Sequence, residues 1–148
     1  MQLTQATDYS FRVVLYLASL EPDVVVTAKD IADHEEIPMR YLLKTLRSLV
    51  KAGILHSFRG PEGGYALAKK PHEISLLDVV EAVEGPIAIN RCFVQADYCT
   101  KHWSHMCPVH QALGEIQHKL IQHLAQYNFG DLLQRYQELR QNGGKCQR

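Results

Sequence analysis

The chain has no net charge: sixteen Lys and Arg balance sixteen Asp and Glu over 148 residues. A uniformly basic, histone-like binder of nucleic acid is therefore excluded, while a local basic face is not. No apolar run approaches the roughly 20 residues that span a bilayer. The opening run MQLTQATDYSFRVV lacks a basic stretch leading into an apolar one, so it does not read as a signal peptide, and the expectation is a cytoplasmic protein with no membrane partner. No glycine-rich phosphate loop follows a strand, and no Ser/His/Asp order sits in a strand–turn–helix context, so nothing points to an enzyme. Cysteine is scarce, at four residues, and a chain of this length buries a core without disulfide staples.

What is present is unevenly placed. Between Glu21 and Ile37 six acids (Glu21, Asp23, Asp30, Asp33, Glu35, Glu36) face Lys29 alone, a local balance of −5. From Pro38 to Lys70 seven bases (Arg40, Lys44, Arg47, Lys51, Arg59, Lys69, Lys70) face Glu62, a balance of +6. Such a dipolar half presents one side to a polyanion.

The elements carrying those charges follow from periodicity and caps. Phe11, Val14, Leu15 and Ala18 have helical spacing from about Thr7 to Ser19, closed by Pro22. Thr27 and Asp30 form a capping pair for a short helix from Ala28 to about His34. Pro38 opens a third helix to about Ala52, with Leu42, Leu46, Leu49 and Val50 inward and Gly53 beyond its end. Its other face carries Arg40, Tyr41, Lys44 and Arg47, and two short helices of this kind form a helix-turn-helix pattern. Two apolar strands then flank Arg59, Gly60, Pro61, Glu62, Gly63 and Gly64, which reads as a wing. The second helix of the pair is placed to enter a major groove, and Arg59 to reach a phosphate or the minor groove.

Ser75 and Asp78 mark another capped helix to about Val83, ended by Gly85 and Pro86. Pro108 opens a long helix to about Tyr127 whose stripe of Val109, Leu113, Ile116, Leu120 and Leu124 suits packing on a second copy of the chain. A short last helix begins at Phe129, and order ends near Asn142. The fold class expected is mainly α with a small β-hairpin: a winged helix-turn-helix over 1–84, a cysteine-rich loop over 85–107, a dimerisation helix and C-terminal helix over 108–141, and a flexible tail over 142–148.

Chemistry concentrates in the loop. Cys92, Cys99 and Cys107 are separated by six and seven residues, and two residues separate the third from His110. That is not the tandem spacing of a zinc ribbon, but three thiolates in a polar loop suit a soft metal centre, zinc or iron–sulfur alike. Cys107 precedes the long helix, where free N–H groups and the positive dipole end favour a thiolate. His110, about one turn in, is placed to ligate or to hydrogen-bond. His102 and His105 are replacement donors within the loop; His118 and His123 read as solvated, and His34, His56 and His72 show no partner pattern. Cys146 reads as a free tail thiol open to oxidation.

The runs MQLTQATDYSFRVVLYLA, IPMRYLLKTLRSLVKAGIL, FRGPEGGYALAK and ISLLDVVEAVEGP, followed by the three-cysteine loop, resemble the IscR/NsrR/RirA family of Rrf-type transcription regulators. The resemblance spans nearly the whole chain in family order. It implies a homodimeric winged-helix regulator, a repressor or an activator, that binds a pseudo-palindromic double-stranded operator under control of an iron–sulfur cluster (4Fe-4S or 2Fe-2S) sensing iron, nitric oxide or redox state. It also implies Cys92, Cys99 and Cys107 as cluster ligands, Arg59, Gly60, Gly63 and Gly64 as the wing contact, and Arg40, Tyr41, Lys44 and Arg47 on the recognition helix. For the fourth ligand it offers two positions, Asp8 from the partner subunit or His110. Two other readings stay open: a thiol- or zinc-based DNA-binding regulator without a cluster, and an iron–sulfur electron-transfer protein that does not bind DNA.

Overall fold

In the computed structural model, which describes residues 2–141, six α-helices accompany a two-stranded hairpin that packs on the first and third of them. Met1 and the 142–148 tail, with Cys146, lie outside the described residues. The first helix, α1 (Gln5–Ala18), starts before Thr7 because Thr4 caps it, its hydroxyl accepting from the Thr7 amide. It ends at Ser19, three residues short of Pro22. Val13, Val14 and Leu17 are buried, and Phe11 and Leu15 pack partly against the same core, so α1 is apolar around most of its girth. A helix of that kind belongs at the centre of a small fold. It packs on four other helices.

The second helix, α2 (Ala28–Glu35), is capped by Thr27, whose Oγ1 accepts from the Asp30 amide at 3.1 Å. Glu36, in left-handed conformation, turns the chain into α3 (Met39–Lys51). Pro38 is the N-cap of α3, one residue outside the helix that its position in the sequence suggests it opens. Leu42, Leu46 and Leu49 are wholly buried, as their spacing predicts, and Val50 packs partly against them.

Strands β1 (Leu55–Phe58) and β2 (Gly64–Leu67) pair antiparallel with Leu55 opposite Leu67 and Phe58 opposite Gly64. A single-residue bridge adds a third edge: Val26 and Tyr65 exchange both backbone bonds, at 2.9 and 2.8 Å. This sews the wing to the residue just before the N-cap of α2. One isolated pair leaves no period in the sequence, which is why pattern reading misses it.

Helix α4 (Leu76–Glu84) has the full capping box between Ser75 and Asp78 and ends at Gly85. Residues 85–107 then run through short helical turns at Arg91–Phe93, Ala96–Tyr98 and Ser104–Met106. The long helix α5 (Pro108–Gln126) buries no residue completely. Val109 and Ile116 are exposed at 63% and 54%, while Leu120 and Leu124 line a cavity of about 510 Å³ with Val80, Ile87 and Ile89. The expected stripe is therefore divided: its C-terminal part meets its own chain, and Val109 and Ile116 stay uncovered. Two backbone bonds, Leu76 N–H to Tyr127 and Phe129 N–H to Ile74, return the chain to the foot of α4. Phe129, 1% exposed, plugs α6 (Phe129–Gln141) into the core beside Phe11, ring to ring at 6.4 Å. Among the described residues no helix is long and apolar enough to cross a membrane.

Candidate functional site

Burial of Leu42, Leu46 and Leu49 forces the opposite side of α3 outward, so Arg40, Tyr41, Lys44 and Arg47 are all exposed. Arg40 is not loose. Its guanidinium lies 4.4 Å from the centroid of the Tyr41 ring and donates to the Tyr41 hydroxyl. A planar cation held against an aromatic face has little rotamer freedom left to lose. Met39 and Leu43, also exposed, flank it with apolar surface.

In the wing, Arg59 and Gly60 are exposed, and Gly60 has φ +104°, a conformation other residues rarely adopt. Gly63 is half-buried and Gly64 buried. A Cβ on Gly64 would overlap the Val26 carbonyl oxygen, so this glycine allows the close approach of β2 to Val26. Gly64 thus shapes the wing from within, its backbone covered by that of Val26. His56 and Phe58, exposed on β1 with their rings edge to face at 6.4 Å, belong to the same surface and carried no motif in the sequence.

The cysteine loop closes on the first turn of α5. Cys107 is its N-cap, with the sulfur accepting from the His110 amide at 3.4 Å. The His110 ring turns the other way, placing Nδ1 3.2 Å from Cys92 Sγ and stacking on Phe93 at 4.4 Å between centroids. One residue thus touches two of the three cysteines. Cys99 stands apart from that contact; the Trp103 amide, then that of Lys101, hold its thiol below the usual range. Backbone donors aimed at a sulfur favour the thiolate that a metal needs. Among the described residues no three His, Cys, Asp or Glu side chains converge as a ready cage. The donor chemistry nevertheless fits an iron–sulfur group: three half-buried thiols, one tuned toward thiolate, and an imidazole in contact with one of them.

Asp8, in the first turn of α1, is 65% exposed at its side chain and faces Arg12 at 3.9 Å; no loop cysteine of its own chain is brought to it. The i,i+4 spacing announces that pair. Other polar links carry no such signal. Arg12 Nε also reaches Glu35 Oε2 on α2 at 3.3 Å. Glu35 Oε1 lies 2.9 Å from His34 Nδ1, and Tyr16 stacks on His34 at 3.9 Å, so His34 has partners after all. His72 likewise faces Asp131 at 3.5 Å. At the start of α1, Glu84 accepts from the Thr4 amide at 2.8 Å and from the Thr7 hydroxyl. Those two donors, Thr7 first, hold its carboxyl below the usual carboxylate value.

Comparison with known proteins returns one consistent group. Residues 3–135 match the family model Rrf2, described as an iron-dependent transcriptional regulator. The chain is 34% identical over 140 residues to the HTH-type transcriptional regulator NsrR of Shouchella clausii, covering 95% of this chain and 93% of that one. It is 31% identical over 141 residues to NsrR of Bacillus licheniformis, covering 95% and 97%. In fold it resembles CymR, the global cysteine regulator of B. subtilis (TM-score 0.70, 22% identity, 90% of this chain and 97% of that one). It also resembles IscR of T. potens (TM-score 0.73, 22% identity, 93% and 90%).

Proposed function

The chain belongs to the Rrf2 family of transcriptional regulators, and from that premise we propose that it is a cytoplasmic homodimeric repressor whose operator affinity is set by an iron–sulfur cluster held on the 85–107 loop. The observation that carries the cluster reading is the seating of Cys107 and His110 at the start of α5, with His110 against Cys92. That contact gathers donors from both ends of an otherwise irregular segment, which a merely solvated loop does not require. Cys92, Cys99 and Cys107 hold the group, and Asp8 of the partner subunit completes it, with His110 the alternative fourth donor. When bound, the cluster supplies an iron centre, open to nitric oxide, oxygen or iron loss, whose state differs between two conditions of the cell.

The protein's own side chains do the rest. Helix α3 enters the major groove, where Arg40, Tyr41 and Lys44 face base edges and Arg47 the backbone. Arg59 reaches phosphate or minor groove from the wing. The uncovered Val109 and Ile116, with Leu113, pack on the second copy's α5. Two recognition helices one DNA turn apart, about 34 Å, read a pseudo-palindromic site.

The test is anaerobic purification followed by visible absorption and by iron and sulfide analysis. A brown protein whose bands vanish in Cys92→Ala, Cys99→Ala and Cys107→Ala is the expected result. Stoichiometric zinc without sulfide overturns the cluster and leaves a zinc- or thiol-based regulator in its place. A monomer by sedimentation at micromolar concentration overturns the dimer.

A further inference from the structure

An open recess of about 380 Å³ lies where the start of α1, the side of α3 and the end of α4 meet. Lys44, Thr45 and Ser48 line it from α3, and Thr4 and Glu84 line it opposite. The two walls carry opposite charges that do not meet: among the described residues Lys44 and Glu84 form no salt bridge. Glu84 is committed through one oxygen only, Oε1, which accepts from the Thr4 amide and the Thr7 hydroxyl. Those donors hold its carboxyl below the ordinary value, so it is ionised at neutral pH. Thr45 is only 3% exposed. Its hydroxyl meets no other described residue, while no fully buried side-chain oxygen lacks a partner, so the access it keeps is to the recess it lines. A hydroxyl inside a helix commonly bonds the carbonyl one turn back, as Ser10 does to Ala6 at 2.8 Å; Thr45 does not. Ser48, one turn on, adds a second hydroxyl to the same wall.

We infer that the recess is a binding site for a free α-amino acid, its carboxylate held by Lys44 with Thr45 and Ser48, and its ammonium held by Glu84. A simple anion such as phosphate gains Lys44 but faces the Glu84 carboxylate. A simple cation gains Glu84 but faces Lys44. A zwitterion answers both walls at once, and like charges nowhere oppose each other. The carboxylate accepts from an ammonium and from hydroxyls together, and the ligand's ammonium brings donors for the second Glu84 oxygen. The volume lies at the low end of small-molecule sites, which suits a ligand of this size. Ala6 and Val83 complete the lining with short apolar side chains and leave room for the ligand's own. Lys44 and Glu84 are both exposed, so each pairing is weak alone and the affinity is millimolar. The assignment rests on these walls and on neither the cluster nor the operator reading.

The test is a saturation-transfer NMR survey of the standard L-amino acids, one at a time at millimolar concentration. It uses the full-length protein, purified without oxygen and free of DNA, and those amino acids that bind are then titrated. At least one is expected to bind, and its decarboxylated amine and its deaminated acid are each expected to bind about ten-fold more weakly, the scale of one lost charged hydrogen bond. Thr45→Val keeps the volume, removes the hydroxyl and is expected to cost a similar factor, while Thr45→Ser preserves binding. Should Thr45→Val not fold, the half-buried Ser48→Ala takes its place. A survey in which no amino acid binds, or analogues lacking one charge that bind as well as the parent, overturns the site. Binding that survives Thr45→Val and Lys44→Met but is lost in Cys92→Ala also overturns it, because the amino acid is then chelating a metal on the loop.

Discussion

Arg59 occupies the exposed tip of the wing, and among the described residues it forms no salt bridge, so its charge is free for a phosphate. Truncation to Ala removes that charge without touching the core. Each phosphate contact on B-DNA contributes about 0.9 to the slope of log affinity against log salt, so a dimer losing one per protomer loses about 1.8. Between about 50 and 200 mM salt, a four-fold change, the wild-type advantage over Arg59→Ala should then shrink about twelve-fold. Arg40→Ala should behave oppositely: a cost of about 1–3 kcal/mol at particular base pairs, with the slope nearly unchanged, because a base edge releases no condensed counterion. The assay is anisotropy across a salt series on a labelled duplex that the protein has selected from a random-sequence pool and on a scrambled one. An Arg59→Ala slope equal to wild type, or a loss confined to single base substitutions, would refute the assignment of Arg59 to the backbone.

Two further substitutions probe the scaffold. Glu84→Gln should lower stability at neutral pH by about 1 kcal/mol or less, the scale of one partly solvated hydrogen bond. Because the Glu84 carboxyl is held below its ordinary value of 4.5, its contribution is present above that pH and is lost as pH falls through the lowered value, so urea midpoints of variant and wild type should converge in acid; a constant gap would contradict the pairing with Thr7 and Thr4. Phe129→Ala empties a wholly buried site and should cost about 3–5 kcal/mol, with α6 becoming accessible to trypsin at Arg135 and Arg140; a loss below about 1 kcal/mol in urea unfolding would mean that α6 is not anchored there.

Most of the framework is legible in the sequence, because caps and apolar spacing are local properties. Thr27, Ser75 with Asp78, and the triplet Leu42, Leu46 and Leu49 each act where their pattern places them. The exposure of Arg40, Lys44 and Arg47 follows as the other side of the same helix. The start of α1 was obscured because its apolar period begins late, at Phe11, while its cap is a polar residue, Thr4. Gly64 belongs to the wing motif, yet its reason is the Val26 backbone 38 positions earlier, which no spacing rule contains. The loop is the hardest segment: its helical turns are three residues long, too short for any period, so three cysteines reveal their chemistry but not their arrangement. Tyr9 with Tyr41, and Arg12 with Glu35, join different helices, and such contacts are fixed by packing angles rather than by the register of either helix.

Those cross-links converge on the first half of α1, which is also where the foot of the loop is held. Glu84 is the last residue of α4, and the loop begins immediately after it; its carboxylate holds the N-terminus of α1 through Thr4 and Thr7. A recess of about 380 Å³ beside that latch is lined by Thr4 and Glu84 on one side and by Lys44 and Ser48 of α3 on the other. Asp8 lies within the same first turn. Further along, α1 is locked into the core by Val13, Val14 and Leu17, and close-packed interiors move as units rather than deform. A change at the loop that pulls on Glu84 or on Asp8 therefore acts at the one end of α1 that is held by polar contacts. A domain this small thus ties the foot of its loop to α1 by side-chain hydrogen bonds at one end, while apolar packing holds the rest of that helix.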